Sequence, residues 1–276
     1  DAIGNCATEL TLAKARLWSP ETPYLYTLRT RLTVDGRTMD ETTNKVGVRT
    51  ILVDGKGFHL NGKLRKFQGV CLHHDLGPLG AAVNRAALIR QIRILKDMGC
   101  DAIRTAHNMP STMQMEVCDS MGMMVMAESF DMWLYPKCKN GYAMHFRDWA
   151  ERDMTNLILC HRNHPSIVMW SIGNEIPEQW SVQGRQLSRW LQNICHRLDP
   201  TRPVSQGMDK AEASLKSGFA QVMDVAGFNY RVHKFDQSIS QLPQGVLLGS
   251  ESASTVSSRG VYDISCSSPR EAKAVT

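Results

Sequence analysis

The sequence predicts an α/β chain: a (β/α)8 barrel lacking its last unit, preceded by part of a β-sandwich. Three observations carry that expectation. Residues 1 to about 50 alternate in the manner of strands and hold turn signals but no helix signal. From Leu64 onward, strand-like and helix-like segments take turns. Nearly every one of those later strands ends in a polar residue.

In the first part, Tyr24 to Val34 is β-rich and alternating, and Asp35-Gly36 supplies a turn. After Thr38 to Asn44, the run Lys45 to Ile51 reads as another strand. About fifty such residues bury too little surface for a sandwich of their own, so they read as the end of one. Phe58 to Lys63 then reads as a hairpin marked by Asn61-Gly62.

Seven candidate strands follow, at 66–71, 102–106, 123–128, 167–172, 204–208, 222–228 and 246–249. Helical patterns lie between them. Asn84 to Met98 has Leu88, Ile92, Leu95 and Met98 on one face, Asn84 as cap and Gly99 as stop. Ser111 to Met121 sits between Pro110 and Gly122; 146–160 and 183–198 behave alike, the latter ended by Asp199-Pro200. Such alternation implies a parallel sheet with crossover helices. An open doubly wound sheet carries a Gly-rich turn after its first strand, whereas here that strand runs into Cys71-Leu72-His73-His74-Asp75. The ring of His73, Arg104, His107, Glu128, Asn174, Glu175, Asp209, Tyr230 and Glu251 at the strand ends suits a barrel mouth instead. Seven strands fit before Thr276, so the eighth unit is expected to be cut off. The domain expectation is 1–52 for the partial sandwich and 53–276 for the barrel, with the Ser-rich stretch 252–270 as a loop over the site.

Composition excludes several classes. With 42% hydrophobic and 21% charged residues, the 276-residue chain has the make-up of a protein with a core. Its net charge of +5 is spread without a basic block, which argues against nucleic acid as a partner. The longest apolar run, Met123 to Ala127, falls far short of the roughly 20 residues that span a membrane. Eight cysteines show no C-x-x-C pair and read as buried, reduced thiols. Asp1 stands where an initiator Met would, with no leader pattern, so the natural start is expected upstream and the compartment is unreadable.

The chemistry lies at two strand ends. Val168 to Ile172 empties into Gly173-Asn174-Glu175, and Leu247-Leu248-Gly249-Ser250 into Glu251. These end the fourth and seventh strands, which face one another across an eight-stranded ring. Two opposed carboxylates are what glycosidic bond cleavage needs, one protonated to release the leaving oxygen and the other ionised. A lone strand-end Glu would more simply pair with Lys or Arg at the rim.

Gly173-Asn174-Glu175, with Ile103-Arg104-Thr105-Ala106-His107-Asn108 and Gly69-Val70-Cys71-Leu72-His73-His74-Asp75, resembles glycoside hydrolase family 2 from about Trp18 to Val261. The resemblance implies a TIM barrel behind part of an immunoglobulin-like domain, with Glu175 as acid/base and Glu251 as nucleophile. It implies substrate-binding roles for His73, Arg104, His107, Asn174 and Tyr230. Asn174 would meet the sugar 2-hydroxyl, Tyr230 would bond the nucleophile, and Arg104 would lie beneath it and keep it ionised. His73 and His107 would line the sugar site, while Glu128 and Asp131 stay open between rim salt bridge and sugar contact. The implied activity is that of a retaining exo-β-glycosidase, a β-galactosidase first and a β-glucuronidase or β-mannosidase as alternatives. The expected partner is a carbohydrate, a β-linked oligosaccharide or glycoconjugate, with room for a homo-oligomer.

The sequence allows two competing readings. His73-His74-Asp75 and His161-Arg162-Asn163-His164 could ligate a metal, but His161 and His164 fall at a helix end away from the mouth and read as helix-terminal cations. No metal and no cofactor is expected. A non-catalytic carbohydrate-binding barrel is the alternative of another class, though a binder has no need of both glutamates. Among the tryptophans, Trp133 and Trp180 are candidate sugar-stacking surfaces, and Trp149, Trp170 and Trp190 read as core.

Overall fold

A computed structural model describes residues 7–253. Strands β1 (Tyr26–Val34) and β2 (Arg37–Val46) pair antiparallel around Asp35-Gly36, whose φ values of 49° and 76° match the twist of a two-residue hairpin. This is the antiparallel piece expected of a sandwich. The strand read over Lys45 to Ile51 does not form as one unit. β2 absorbs 38–44 and stops at Val46, because the chain turns in against the barrel at Gly47. A Cβ there would stand 2.6 Å from Pro165 and 3.2 Å from the Trp18 side chain.

Ile51 instead opens a second small sheet of β3 (Ile51–Asp54), β4 (Gly57–Leu60) and β5 (Lys63–Arg65), the last two joined through Asn61-Gly62 as the sequence indicates. Its Phe58 and Leu60 join Trp18, Ala102, Met124 and Val168 in an apolar cluster that stops the lower, N-terminal end of the barrel.

All seven parallel strands are present: β6 (Gly69–Leu72), β7 (Ala102–Thr105), β8 (Met124–Glu128), β9 (Ile167–Asn174), β10 (Val204–Met208), β11 (Val225–Asn229) and β12 (Leu247–Glu251). Each hydrogen-bonds its neighbours in chain order. Among the described residues six α-helices accompany them: α1 (Arg85–Asp97), α2 (Thr112–Met121), α3 (Phe146–His161), α4 (Val182–Leu198), α5 (Ala211–Lys216) and α6 (Phe235–Ile239). Asn84 caps α1 by accepting from Ala87 N–H at 3.0 Å, and Ser111 caps α2 from Gln114 N–H at 3.2 Å. Gly122 ends α2 in the left-handed conformation, φ 70°. Leu88, Ile92 and Leu95 are buried as expected, whereas Met98 is the C-cap of α1 and lies exposed, where the helix has already ended.

The sheet is curled, and a single distance demonstrates it. β7 and β12 lie five strands apart, which in a flat sheet would be about 24 Å. Yet Arg104 Nη1 on β7 lies 2.7 Å from Glu251 Oε1 on β12. On β6, the Cys71 thiol donates to the Ser250 carbonyl at 3.4 Å. Inside this wall, Met126, Met169 and Val225 form an apolar layer with Phe67 and Leu248 packed against it. Outside it, the helices bury the larger core, including Ile103, Val125, Trp170, Ile172 and Phe228.

Of the cysteines among the described residues, Cys118 and Cys195 are buried, Cys71 and Cys100 are half-buried, and Cys138 and Cys160 are exposed, all as free thiols. The expectation of burial therefore fails at the last two. Cys6, Cys266 and all of the Ser-rich stretch beyond residue 253 lie outside the described residues.

Trp18 is fully buried and its indole N–H donates to the Asp119 carbonyl at 2.9 Å, so it pins the segment before β1 to the barrel floor. Trp18→Ala is expected to lower unfolding free energy by about 3–5 kcal/mol in urea denaturation. A cost below about 1 kcal/mol would show that the floor closes without it.

Candidate active site

The mouth of the barrel is built around Arg104, which points inward from β7 and is 4% exposed. Its guanidinium reaches Glu128 Oε2 at 2.7 Å, Glu251 Oε1 at 2.7 Å and Asn174 Oδ1 at 2.9 Å. Burial works against its charge, but Glu128, Cys71 and Glu251 outweigh that and hold it protonated more firmly than an ordinary arginine. Glu128 has no exposed surface. It also accepts from Ser171 Oγ and meets His107 Nδ1 at 2.7 Å. It is therefore an internal partner of Arg104, not a rim salt bridge.

Glu251 ends β12. Burial alone would push its carboxyl up; the Tyr230 hydroxyl, which donates to Oε2, and the Arg104 charge outweigh that and bring it below the usual range. His107 Nε2 lies 3.5 Å from Glu251 Oε1 and 3.2 Å from Asn174 Nδ2. His73 packs edge-on against His107 with ring centres 4.9 Å apart, and burial followed by the charge of His107 lowers its pKa. Asp131 accepts from Asn174 Nδ2 at 3.3 Å and from Lys137 Nζ at 2.9 Å. Burial opposes its charge, but Lys137 prevails and its pKa falls.

Glu175 stands just past β9. Its Oε1 accepts from Asn229 Nδ2 at 3.0 Å, and Asn229 Nδ2 also donates to Asn174 Oδ1 at 3.0 Å. The two glutamates are thus joined through Arg104, Asn174 and Asn229, so both serve one mouth. The seven residues that the resemblance assigns to the site, Glu175, Glu251, His73, Arg104, His107, Asn174 and Tyr230, lie in this network or in ring contact with it. Asn229, by contrast, escaped the sequence reading except as the neighbour of Tyr230. It is fully buried and takes a hydrogen bond from Ser250 Oγ at 2.7 Å. The available signal was its position as the last residue of an apolar strand.

Backbone geometry aims the two ends. Glu175 and Tyr230 have φ of 44° and 60°, values that side-chain-bearing residues rarely adopt. Each is held by its own N–H: Glu175 donates to the Gly207 carbonyl at 2.7 Å, and Tyr230 to the Glu251 carbonyl at 2.6 Å. Gly207 itself makes room for the network. A Cβ there would come within 2.9 Å of Arg104 Nη2, Asn174 Oδ1 and Asn229 Oδ1.

Three expectations change. Trp133 is fully buried and donates its indole N–H to the Ile172 carbonyl at 3.0 Å, so it is core, not a sugar platform. Trp149, read as core, is 44% exposed under Arg152; Trp180 is 64% exposed. His161 is not a helix-terminal cation: burial, reinforced by His164, pushes it down to about 4. His164 instead bonds Asp119 at 2.6 Å. Among the described residues no group of three or more His, Cys, Asp and Glu is arranged to hold a metal ion, and no helix is long and apolar enough to cross a membrane.

A curled parallel barrel with glutamates at the ends of its fourth and seventh strands, joined through one buried arginine, is a barrel of the glycoside hydrolase class. Comparison with known proteins narrows this. The profile of glycosyl hydrolases family 2, TIM barrel domain, matches residues 51–241, and that of glycosyl hydrolases family 2 matches residues 2–49. The chain belongs to glycosyl hydrolase family 2. It is 40% identical to a β-galactosidase of Bacteroides ovatus, over 92% of this chain and 34% of that protein. It is 32% identical to a β-glucuronidase of Sus scrofa, over 71% of this chain and 31% of that protein. A crystal structure of a family 2 member from Bacteroides cellulosilyticus superposes with a TM-score of 0.81 at 37% identity, covering 84% of this chain and 30% of the other. The chain therefore spans about a third of the length of these relatives.

Gly207→Ala is expected to reduce kcat/KM on a nitrophenyl glycoside by roughly tenfold to a hundredfold, because the network must spread by part of an ångström. Its melting temperature should fall by only a few degrees, about 1 kcal/mol of stability. An unchanged kcat/KM would show that the contacts at Gly207 do not matter to turnover.

Proposed function

We propose that the protein is a retaining exo-β-glycosidase working by double displacement, with Glu251 as nucleophile and Glu175 as acid/base. The observation that carries this reading is the Glu251 carboxylate, held ionised between Arg104 Nη1 at 2.7 Å and the Tyr230 hydroxyl. An anion so fixed in the barrel mouth is a poor proton carrier and a ready nucleophile.

In the first step a Glu251 oxygen attacks the anomeric carbon, the glycosidic C–O bond breaks, and Glu175 gives its proton to the departing oxygen. In the second, water attacks the same carbon, Glu175 takes back a proton, and the bond to Glu251 breaks. Two inversions leave the configuration unchanged. Asn174, held by Arg104 and Asn229, turns its amide nitrogen toward His107 and Asp131, where it can donate to the sugar 2-hydroxyl. His73 and His107 wall the same pocket.

The substrate we favour is a terminal β-galactoside, in keeping with the His73, His107 and Tyr230 set and with the name of the 40%-identical relative. A β-glucuronide is the second reading, since relatives named β-glucuronidase also match over most of the chain. A panel of nitrophenyl glycosides presented to the full-length protein separates them.

Glu251→Gln is expected to abolish turnover. Glu175→Ala should lose ~10²–10⁴-fold on poor leaving groups and least on good ones. Azide should restore Glu251→Gly with an inverted product, and a mechanism-based fluorosugar should label Glu251 in mass spectra. Undiminished activity in both glutamate variants would end the assignment.

The acid limb of kcat/KM should lie below the ordinary glutamate range, since the free enzyme loses its nucleophile only when Glu251 takes a proton. Tyr230→Phe removes a donor to the anion, so the carboxyl regains proton affinity and the limb moves to higher pH. A limb that stays put, or moves down, would mean that Glu251 does not govern it.

A further inference from the structure

The loop after β8 is fastened to the end of β9 at successive points. Asn174 N–H donates to the Phe130 carbonyl at 3.0 Å, the Trp133 indole to the Ile172 carbonyl at 3.0 Å, and Lys137 Nζ to the Asn174 carbonyl at 2.8 Å. The next fastening comes from a carboxylate. Glu178 is 1% exposed, and its Oε1 accepts both the Leu134 N–H at 2.8 Å and the Tyr135 N–H at 3.0 Å. Its Oε2 is buried with no hydrogen-bond partner among the described residues. Burial raises its pKa against the pull of those two donors.

The turn bearing Glu178 is itself rigid. Ser181, the cap of α4, donates both its N–H and its hydroxyl to the Glu178 carbonyl at 2.9 Å. Gln179 donates to Asp209 at 2.6 Å and accepts from Lys210 N–H at 3.1 Å, tying the same turn to the loop after β10. A Cβ at Gly184 would stand 2.2 Å from the Glu178 carbonyl, so α4 presses directly on the turn.

A carboxyl group buried with one oxygen unpartnered is a poor stabilising device, since an apolar side chain would fill the space without a desolvation cost. Two backbone donors from one loop, on one oxygen, instead fix that loop's position. That loop carries Asp131 and Lys137, whose polar heads bond the side chain and the carbonyl of Asn174, next to Glu175. We propose that Glu178 is a positioning residue for proton delivery to the leaving group: it anchors the loop that orients Asn174-Glu175. This inference rests on the reading of Glu175 as acid/base.

The test compares phenyl and 2,4-dinitrophenyl glycosides on the full-length enzyme, because only the poor phenolate leaving group needs the proton. Glu178→Ala is expected to lower kcat/KM on the phenyl glycoside by roughly tenfold or more while largely sparing the dinitrophenyl one. Glu178→Gln keeps an acceptor oxygen and should restore both. Equal losses on the two substrates, or a Gln variant as impaired as Ala, would overturn the proposal. Should Glu178→Ala fail to fold, Lys137→Met, changed on the loop's more open side, must show the same leaving-group dependence or the proposal falls. Glu175→Ala measured alongside separates the failures. If it does not discriminate leaving groups, the acid/base reading is lost; if it does and Glu178→Ala does not, only this inference is lost.

Discussion

The buried Arg104 guanidinium is the constraint on which the barrel mouth depends. A cation at 4% exposure is tolerable only with anionic partners and filled hydrogen bonds, and removing one partner from such a set typically costs several kcal/mol. Here the partners come from different strands: Glu128 on β8, Asn174 on β9 and Glu251 on β12. One side chain therefore does two things. It holds the far wall of the curled sheet at a fixed distance from β7, and together with the Tyr230 hydroxyl it brings the Glu251 carboxyl below its usual range.

That arrangement needs a dry floor and empty space. The layer of Met126, Met169 and Val225 keeps the interior below the network apolar, and the Trp18, Phe58 and Leu60 cluster closes the end beneath it. In such surroundings the attraction between Arg104 and its carboxylates is little screened. Space comes from glycine. At Gly207 three polar side chains converge where a methyl group would sit, and at Gly227 a Cβ would meet the Gln206 carbonyl at 2.4 Å. The bare position at Gly207 lets Arg104, Asn174 and Asn229 meet across it, whereas Gly227 is kept bare by the close approach of the β10 backbone.

How much of this the sequence revealed follows from the range of each signal. Alternation, caps and stops are local, and they located all seven parallel strands and the longer helices to within a few residues. They failed where a distant contact overrides them. Gly47 leaves the sheet because of Pro165, and Trp133 is drawn into the core by the Ile172 carbonyl. Glu175, Glu251 and Arg104 stood out because charge at the end of an apolar strand is conspicuous. Asn229, Gly207 and Glu178 did not: an amide, a glycine and one more surface-type acid gain meaning only from neighbours on other strands. The low pKa of His161 was illegible for the same reason, since burial is not a local property.

Two of the residues with left-handed backbone conformations, Glu175 and Tyr230, show why site and fold cannot be separated here. Glu175 and Tyr230 each carry a cost of order 1–3 kcal/mol for leaving their strands in the left-handed region. Each is held there by donating its N–H to a carbonyl on the next strand, Gly207 on β10 and Glu251 on β12. Those hydrogen bonds exist only because adjacent strands are in register at the mouth. The same register brings Asn229 under Glu175 and the Tyr230 hydroxyl onto Glu251. Any slip of one strand would release the strain and the carboxylate geometry together. The cooperativity of the sheet therefore protects the geometry of both carboxylates, which a site built on loops alone would have to secure contact by contact.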